Sequence, residues 1–122
     1  MRWSVLLSEE VRIWYVGLSP SDKAVADRVI ERLATQGHML RMLHTKPLGE
    51  GLHELRFTAE NMARRITYVL DPVRQAVTLT TFRKQRMNER AEILRARRAQ
   101  AVHEARRVAA QDDTSDKGRK KK

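Results

Sequence analysis

Three β-like runs, 52–57, 63–70 and 76–82, the last two rich in β-branched residues, follow one another with five-residue connections, 58–62 and 71–75. Connections that short cannot carry a crossover, so the runs predict an antiparallel meander. Such a sheet must bury at least one face against another element. The sequence ahead of it supplies one. Val11, Trp14, Tyr15 and Leu18 fall on one face of a helix that Ser8 caps and Glu9 and Glu10 favour at its positive end. Ser19-Pro20 ends that helix and starts a second, with Asp22 placed as a capping-box acid. Ala26, Val29, Ile30 and Leu33 give the second helix its core face, and Gly37 suits its close. Residues 3–7 predict a strand before the first helix.

The expected architecture is α+β: an N-terminal strand and a helical hairpin packed on an antiparallel sheet, in the order β-α-α-β-β-β, followed by a basic C-terminal helix. Residues 38–51, with Pro47, Gly49 and Gly51, predict a loop. From Asn88 to about Ala110 the chain is rich in Ala, Arg, Glu and Leu and predicts a helix with a thin apolar stripe, Ala91, Leu94, Ala101, Ala105 and Val108. Residues 1–110 are expected to form one domain and the wholly polar residues 111–122 a disordered basic tail.

Charge narrows the function. The net +10 is local: residues 1–81 hold 11 basic and 9 acidic side chains, whereas residues 82–107 hold nine against three. A polyanion is the expected partner. With six aromatics, a continuous base-stacking surface is not expected, so phosphate contacts must carry the binding. The absence of cysteine removes disulfides, thiol nucleophiles and thiolate metal sites. No apolar run approaches the length of a membrane span, and no signal-peptide core precedes Glu9 and Glu10. A cytoplasmic protein without a cofactor or metal is expected.

Strand alternation sorts the polar residues. His53, Leu55 and Phe57 share one face, with Glu54 and Arg56 opposite; Ile66, Tyr68 and Leu70 share one face, with Arg65 and Thr67 opposite. In the last run, Val77 and Leu79 are expected toward the helices, and Thr78, Thr80, Phe82 and Lys84 on the other side. Glu54, Arg56, Arg65 and Lys84 therefore converge on one polar face. Phe82 there stands either to stack a base or to act as an edge hydrophobe.

Gly51-Leu52-His53-Glu54-Leu55-Arg56, then Arg65-Ile66-Thr67-Tyr68-Val69-Leu70-Asp71, then Phe82-Arg83-Lys84-Gln85-Arg86 resembles the RelE/ParE superfamily of type II toxins, most closely its HigB-like, phage-derived branch. The resemblance covers roughly residues 1–105. It implies a small bacterial toxin neutralised by a cognate antitoxin, of helix-turn-helix type, and a metal-independent endoribonuclease that cleaves mRNA on the ribosome. It places Arg65 at the scissile phosphate, matches Arg83 and Lys84 to the basic pair ending the last strand, with Lys84 at the position of a second catalytic arginine, and matches Arg56 to a further functional arginine. The chain departs from RelE where two lysines are replaced by Leu52 and Glu54, and where a catalytic tyrosine is replaced by Arg90. The acid and base are therefore not assigned by the resemblance.

Metal-free cleavage needs a base for the ribose 2′-OH, an acid for the 5′ oxygen and donors for the phosphorane. Arg56 and Arg65 suit the last role. Lys84 serves likewise or as general acid, and Glu54 is either the base or a salt-bridge partner of Arg56 or Arg65. Lys46, Arg83, Arg86 and Arg90 are the candidates to hold RNA backbone, while Arg95, Arg98 and Arg106 are expected on a solvated face. His53 is expected to pack with Leu55 and Phe57. The competing readings are a non-catalytic, ParE-like gyrase inhibitor, a basic nucleic-acid-binding module, and an inactive toxin on the same fold.

Overall fold

The computed structural model describes residues 2–40 and 44–120. The order is β1 (Ser4–Leu6), α1 (Glu9–Val16), α2 (Pro20–Gln36), a 3₁₀ turn (Gly37–Met39), β2 (Thr45–Gly49), β3 (Leu52–Ala59), β4 (Met62–Asp71), β5 (Gln75–Arg83) and α3 (Glu89–Lys120). The five strands lie in the order β1-β5-β4-β3-β2. All pairs are antiparallel except β1 with β5, which makes the sheet mixed.

The α+β architecture is the expected one, with a strand more. β2 occupies part of the segment expected as a loop, of which residues 41–43 lie outside the described residues. A single Pro in β2 is tolerated because β2 is an edge strand. The connections are also tighter than five residues. Glu60 and Asn61 alone join β3 to β4, both at positive φ (56° and 58°), the geometry of a two-residue type I′ hairpin. Contacts with the helices hold the strained Glu60: its backbone N–H donates to Asp22 and its carboxylate accepts from the Trp14 indole.

Ser8 caps α1 and Ser19 caps α2 through their hydroxyls, as expected. Gly37 closes α2 at φ 49°, where a Cβ would lie 2.1 Å from the Trp3 ring. The hairpin α1–α2 covers one face of the sheet, burying Val11, Val29 and Leu33 against Leu55, Ile66 and Tyr68. α3 crosses the other face and packs on Leu52, Val69, Val77 and Leu79.

Val77 and Leu79 face α3 and not the hairpin, because β5 carries a bulge: Thr67 pairs with Thr80 but Tyr68 with Thr78, leaving Leu79 as the extra residue. Thr78 accordingly turns to the β1–α1 side, where its hydroxyl bonds Leu6 and Ser8. The inward stripe of α3 is likewise not the expected one. Ala96 and Ala99 meet the sheet, while Leu94, Val102 and Val108 are exposed. Short alanines let the helix approach, and long polar side chains on either side reach across to fasten it. Arg97 donates to the Leu48 and Gly49 carbonyls, Gln100 to Glu50, and His103 pairs with Asp71. Arg95, expected in solvent, binds Glu10, Glu92 and the Thr81 carbonyl.

The helix also runs past residue 110, over residues expected as a tail. A nucleated helix adds residues one hydrogen bond at a time and needs no apolar partner to continue. Residues 121 and 122 of that tail lie outside the described residues.

Candidate functional site

At the end of the α3-facing surface away from its apolar patch, strand register sets two polar rows side by side. Lys46, Glu54, Thr67 and Thr80 are paired in sequence across β2 to β5, and Arg56, Arg65 and Phe82 across β3 to β5. The bulge at Leu79 brings Thr80 and Phe82 onto this side in spite of the inverted alternation before it. Thr67 and Thr80 bond each other 2.5 Å apart and Phe82 is buried, so the β5 end of each row is closed to a ligand. Phe82 is thus a packed hydrophobe and offers no face to a base.

The β3–β4 part of the rows is ionic. Glu54 is 1 % exposed and its carboxylate lies 3.4 Å from Arg65 Nε and 3.9 Å from Arg56 Nε. The salt bridge, and not a free base, is what this position forms. Neither oxygen of Glu54 accepts a hydrogen bond from a described residue. Loss of hydration therefore outweighs attraction on both sides of the pair: burial pushes the Glu54 carboxyl up despite Arg65, and pulls the Arg65 guanidinium down despite Glu54. Arg65 is also tied by Nη1 to the Arg64 carbonyl, whereas Arg56 keeps 38 % of its side chain in solvent.

Lys84 follows β5 and reaches the same locality through a residue that the sequence did not single out. Its Nζ lies 3.2 Å from Glu89 Oε2, at the first turn of α3. Asn88 fixes the connection, accepting from the Gln85 N–H and donating to the Arg83 carbonyl. That folded-back link delivers Glu89 to the cluster. Lys84 holds the Glu89 carboxyl below the ordinary carboxylate range, with smaller contributions from Lys46 and Arg65. No sequence spacing carried this signal, because Glu89 looks like any acid at a helix start.

Beside the cluster, β2 and the start of α3 enclose an open groove of about 510 Å³ lined by Lys46, Arg86, Met87, Glu89, Arg90, Ile93 and Leu94. Three of the four residues expected to hold a polyanion backbone, Lys46, Arg86 and Arg90, thus share one cleft. Arg83 does not join them. It pairs in register with Arg64 on the hairpin side, where Arg64 stacks on Trp14, and its Nη1 lies against Met62.

His44, His53 and His103 are occupied elsewhere. His53 stacks on Tyr68 on the hairpin face, and burial lowers its pKa. His44 bonds Arg32, and His103 bonds Asp71. Among the described residues no group of three or more His, Cys, Asp or Glu gathers to hold a metal ion, and no helix is long and apolar enough to cross a membrane. Chemically, the site offers convergent cations, one exposed carboxylate and one buried carboxylate.

The model of the family described as Phage derived protein Gp49-like (DUF891) matches residues 14–101. No curated protein matches the sequence. Among solved structures, the chain is similar to one in the crystal structure of the toxin-antitoxin complex RelBE2 from Mycobacterium tuberculosis, at 19 % identity and TM-score 0.51, over 69 % of this chain and all of that one. It is also similar to an arginine-to-alanine double mutant of E. coli toxin RelE in the free state, at 7 % identity and TM-score 0.55, over 77 % of this chain and 92 % of that one. At these identities the likeness is one of fold.

Proposed function

Because the chain belongs to the phage-derived Gp49-like family, a RelE/HigB-type toxin family, we propose that it is the toxin of a type II toxin-antitoxin system and acts as a metal-independent endoribonuclease on ribosome-bound mRNA. The observation that carries this reading is the gathering of Arg56, Arg65 and Lys84 about Glu54 and Glu89, beside one cleft lined by Lys46, Arg86 and Arg90. A protein that inhibits its target by surface complementarity alone has no need to gather unlike strands' cations at one point. A protein that stabilises a phosphorane does.

In this reading the charge that develops on the phosphorane is met by Arg56 and Arg65, which stay protonated through the reaction. Glu54 holds the two guanidiniums in place from beneath and does not touch the substrate. Lys46, Arg86 and Arg90 grip the neighbouring phosphates. An antitoxin is the expected partner, as the RelBE2 complex has one.

The test is purified protein on ribosomes programmed with a defined mRNA, beside a gyrase supercoiling assay. Discrete mRNA cleavage is expected, with supercoiling unaffected. Arg56→Ala, at a partly exposed position, is expected to melt like the wild type while cleavage falls by roughly 10²-fold or more. Inhibited supercoiling with intact mRNA would replace the nuclease by a gyrase inhibitor.

A further inference from the structure

The cleavage chemistry proposed above lacks an acid and a base, and three features of the groove bear on which residues supply them. Glu54 is sealed in the sheet, with its approach taken by Arg65 and Arg56. The described histidine side chains at 44, 53 and 103 are bonded or stacked away from the cleft. Glu89, by contrast, is the one carboxylate among the residues lining the groove, with 38 % of its side chain exposed, and it lies 3.2 Å from Lys84 Nζ, itself 29 % exposed.

Resting on the nuclease reading, we infer that Glu89 and Lys84 are the general base and general acid of the reaction, a dyad that closes on itself in the free protein and is parted by the scissile phosphate. Glu89 takes the proton of the ribose 2′-OH as the 2′-oxygen bonds to phosphorus. The bond from phosphorus to the 5′ oxygen breaks with its electron pair going to that oxygen, and Lys84 Nζ protonates it. The products are a 2′,3′-cyclic phosphate and a 5′-hydroxyl. Once they leave, the neutral lysine and the carboxylic acid face each other at hydrogen-bonding distance, and one proton crossing from Glu89 to Lys84 restores the starting state without water, metal or redox partner.

The surroundings support the assignment. Lys84, just after β5, Lys46 on β2 and Arg65 on β4 are the cations that act on Glu89, Glu54 on β3 is a like charge coupled to it, and Arg86 and Arg90 share its groove. The three cations outweigh Glu54 and keep Glu89 ionised, as a base must be before it acts. When Lys84 turns to the leaving oxygen, Glu89 loses the contact that most lowers its proton affinity, and so becomes a stronger base in the bound complex than in the free protein.

Single-turnover cleavage of ribosome-bound mRNA, followed across pH, tests this. Glu89→Gln is expected to cost roughly 10²–10⁴-fold in rate with unchanged melting and to abolish the acidic limb of the pH profile. Lys84→Arg, which keeps the charge but cannot release a proton, is expected to lose a similar factor on ordinary RNA. It should recover on RNA carrying sulfur at the bridging 5′ position, whose thiolate leaves unprotonated, whereas Glu89→Gln should not. Glu89→Asp keeps the charge at the helix start and should melt normally but cleave slowly; full activity in Glu89→Asp together with a loss of melting temperature in Glu89→Gln would make Glu89 structural and overturn the dyad. Wild-type cleavage matched within threefold by Glu89→Gln, or no recovery of Lys84→Arg on the sulfur substrate, overturns the dyad and leaves the nuclease reading standing. Intact mRNA with the wild type overturns both.

Discussion

The two faces of the sheet are covered in opposite ways. The hairpin face is closed by a continuous apolar cluster, with Val11, Leu33, Leu55, Ile66 and Tyr68 nearly inaccessible. The α3 face is apolar where Ala96 lies over Leu52 and Val77 and at the buried Phe82, and ionic where Glu54, Arg56 and Arg65 stand. Apolar surface is covered because water rejects it, so the hairpin seals its side. A charged row gains nothing from an apolar lid, so α3 grips one end of its face and leaves a cleft at the other. The difference identifies one face as the fold's anchor and the other as the place where a charged ligand can enter.

The contrast should be most visible in stability. Leu33→Ala, on the sealed face, is expected to cost about 2–5 kcal/mol by denaturant unfolding. Arg65→Ala, on the ionic face, is expected to cost about 3 kcal/mol at neutral pH, the low end for breaking a buried pair, because Arg56 still faces the stranded Glu54. Its cost should shrink on acidification, when Glu54 protonates, and Leu33→Ala should show no such dependence.

Stability against pH separates the faces again. Glu54 has a raised folded pKa, so the folded state holds its proton where the unfolded state has lost it. Its contribution is most favourable below the ordinary carboxylate value and declines as pH rises from there through the raised folded value. His53 has a lowered folded pKa, so its contribution is present above the ordinary histidine value and declines as pH falls from there through the folded value. Glu54→Gln is expected to flatten the first dependence and His53→Phe the second, in thermal melts between pH 4 and 8, an interval set by these two ordinary values.

The smallest effect is in RNA binding. Arg86→Ala and Arg90→Ala are each expected to lower the slope of log affinity against log salt by about 1, as a lost phosphate contact does. Arg83→Ala, on the hairpin side, should leave the slope unchanged. An equal change from Arg83→Ala would show that the RNA path crosses the sheet edge and is not confined to the groove.

Most of the frame was legible because it is written in local signals. Ser8 and Ser19 announce their helices by hydrogen-bonding chemistry that spans three residues, and the alternation in β3 and β4 placed Glu54, Arg56 and Arg65 together without coordinates. β2 was hidden because Pro47 and Gly49 mark a loop by composition, and only pairing with β3 makes them an edge. In β5 alternation failed, since a bulge is a property of two strands and leaves no mark on one. The apolar positions of α3 misled for a related reason: the helix is held by alanines and by the reach of Arg95, Arg97 and Gln100, which look like solvent residues in isolation.

By itself the sequence determined the order of every strand and α-helix but β2, the capped helices, the meander and the ionic row of β3 and β4, all consequences of periodicity and short-range hydrogen bonding. Only the tertiary structure decided that Glu54 is sealed beneath its arginines, that Arg83 turns away, and that Glu89 meets Lys84 at the mouth of the groove. Those facts depend on how far a helix is lowered onto a sheet and on where a strand slips by one residue. Neither quantity is carried by any stretch of chain short enough to be read alone.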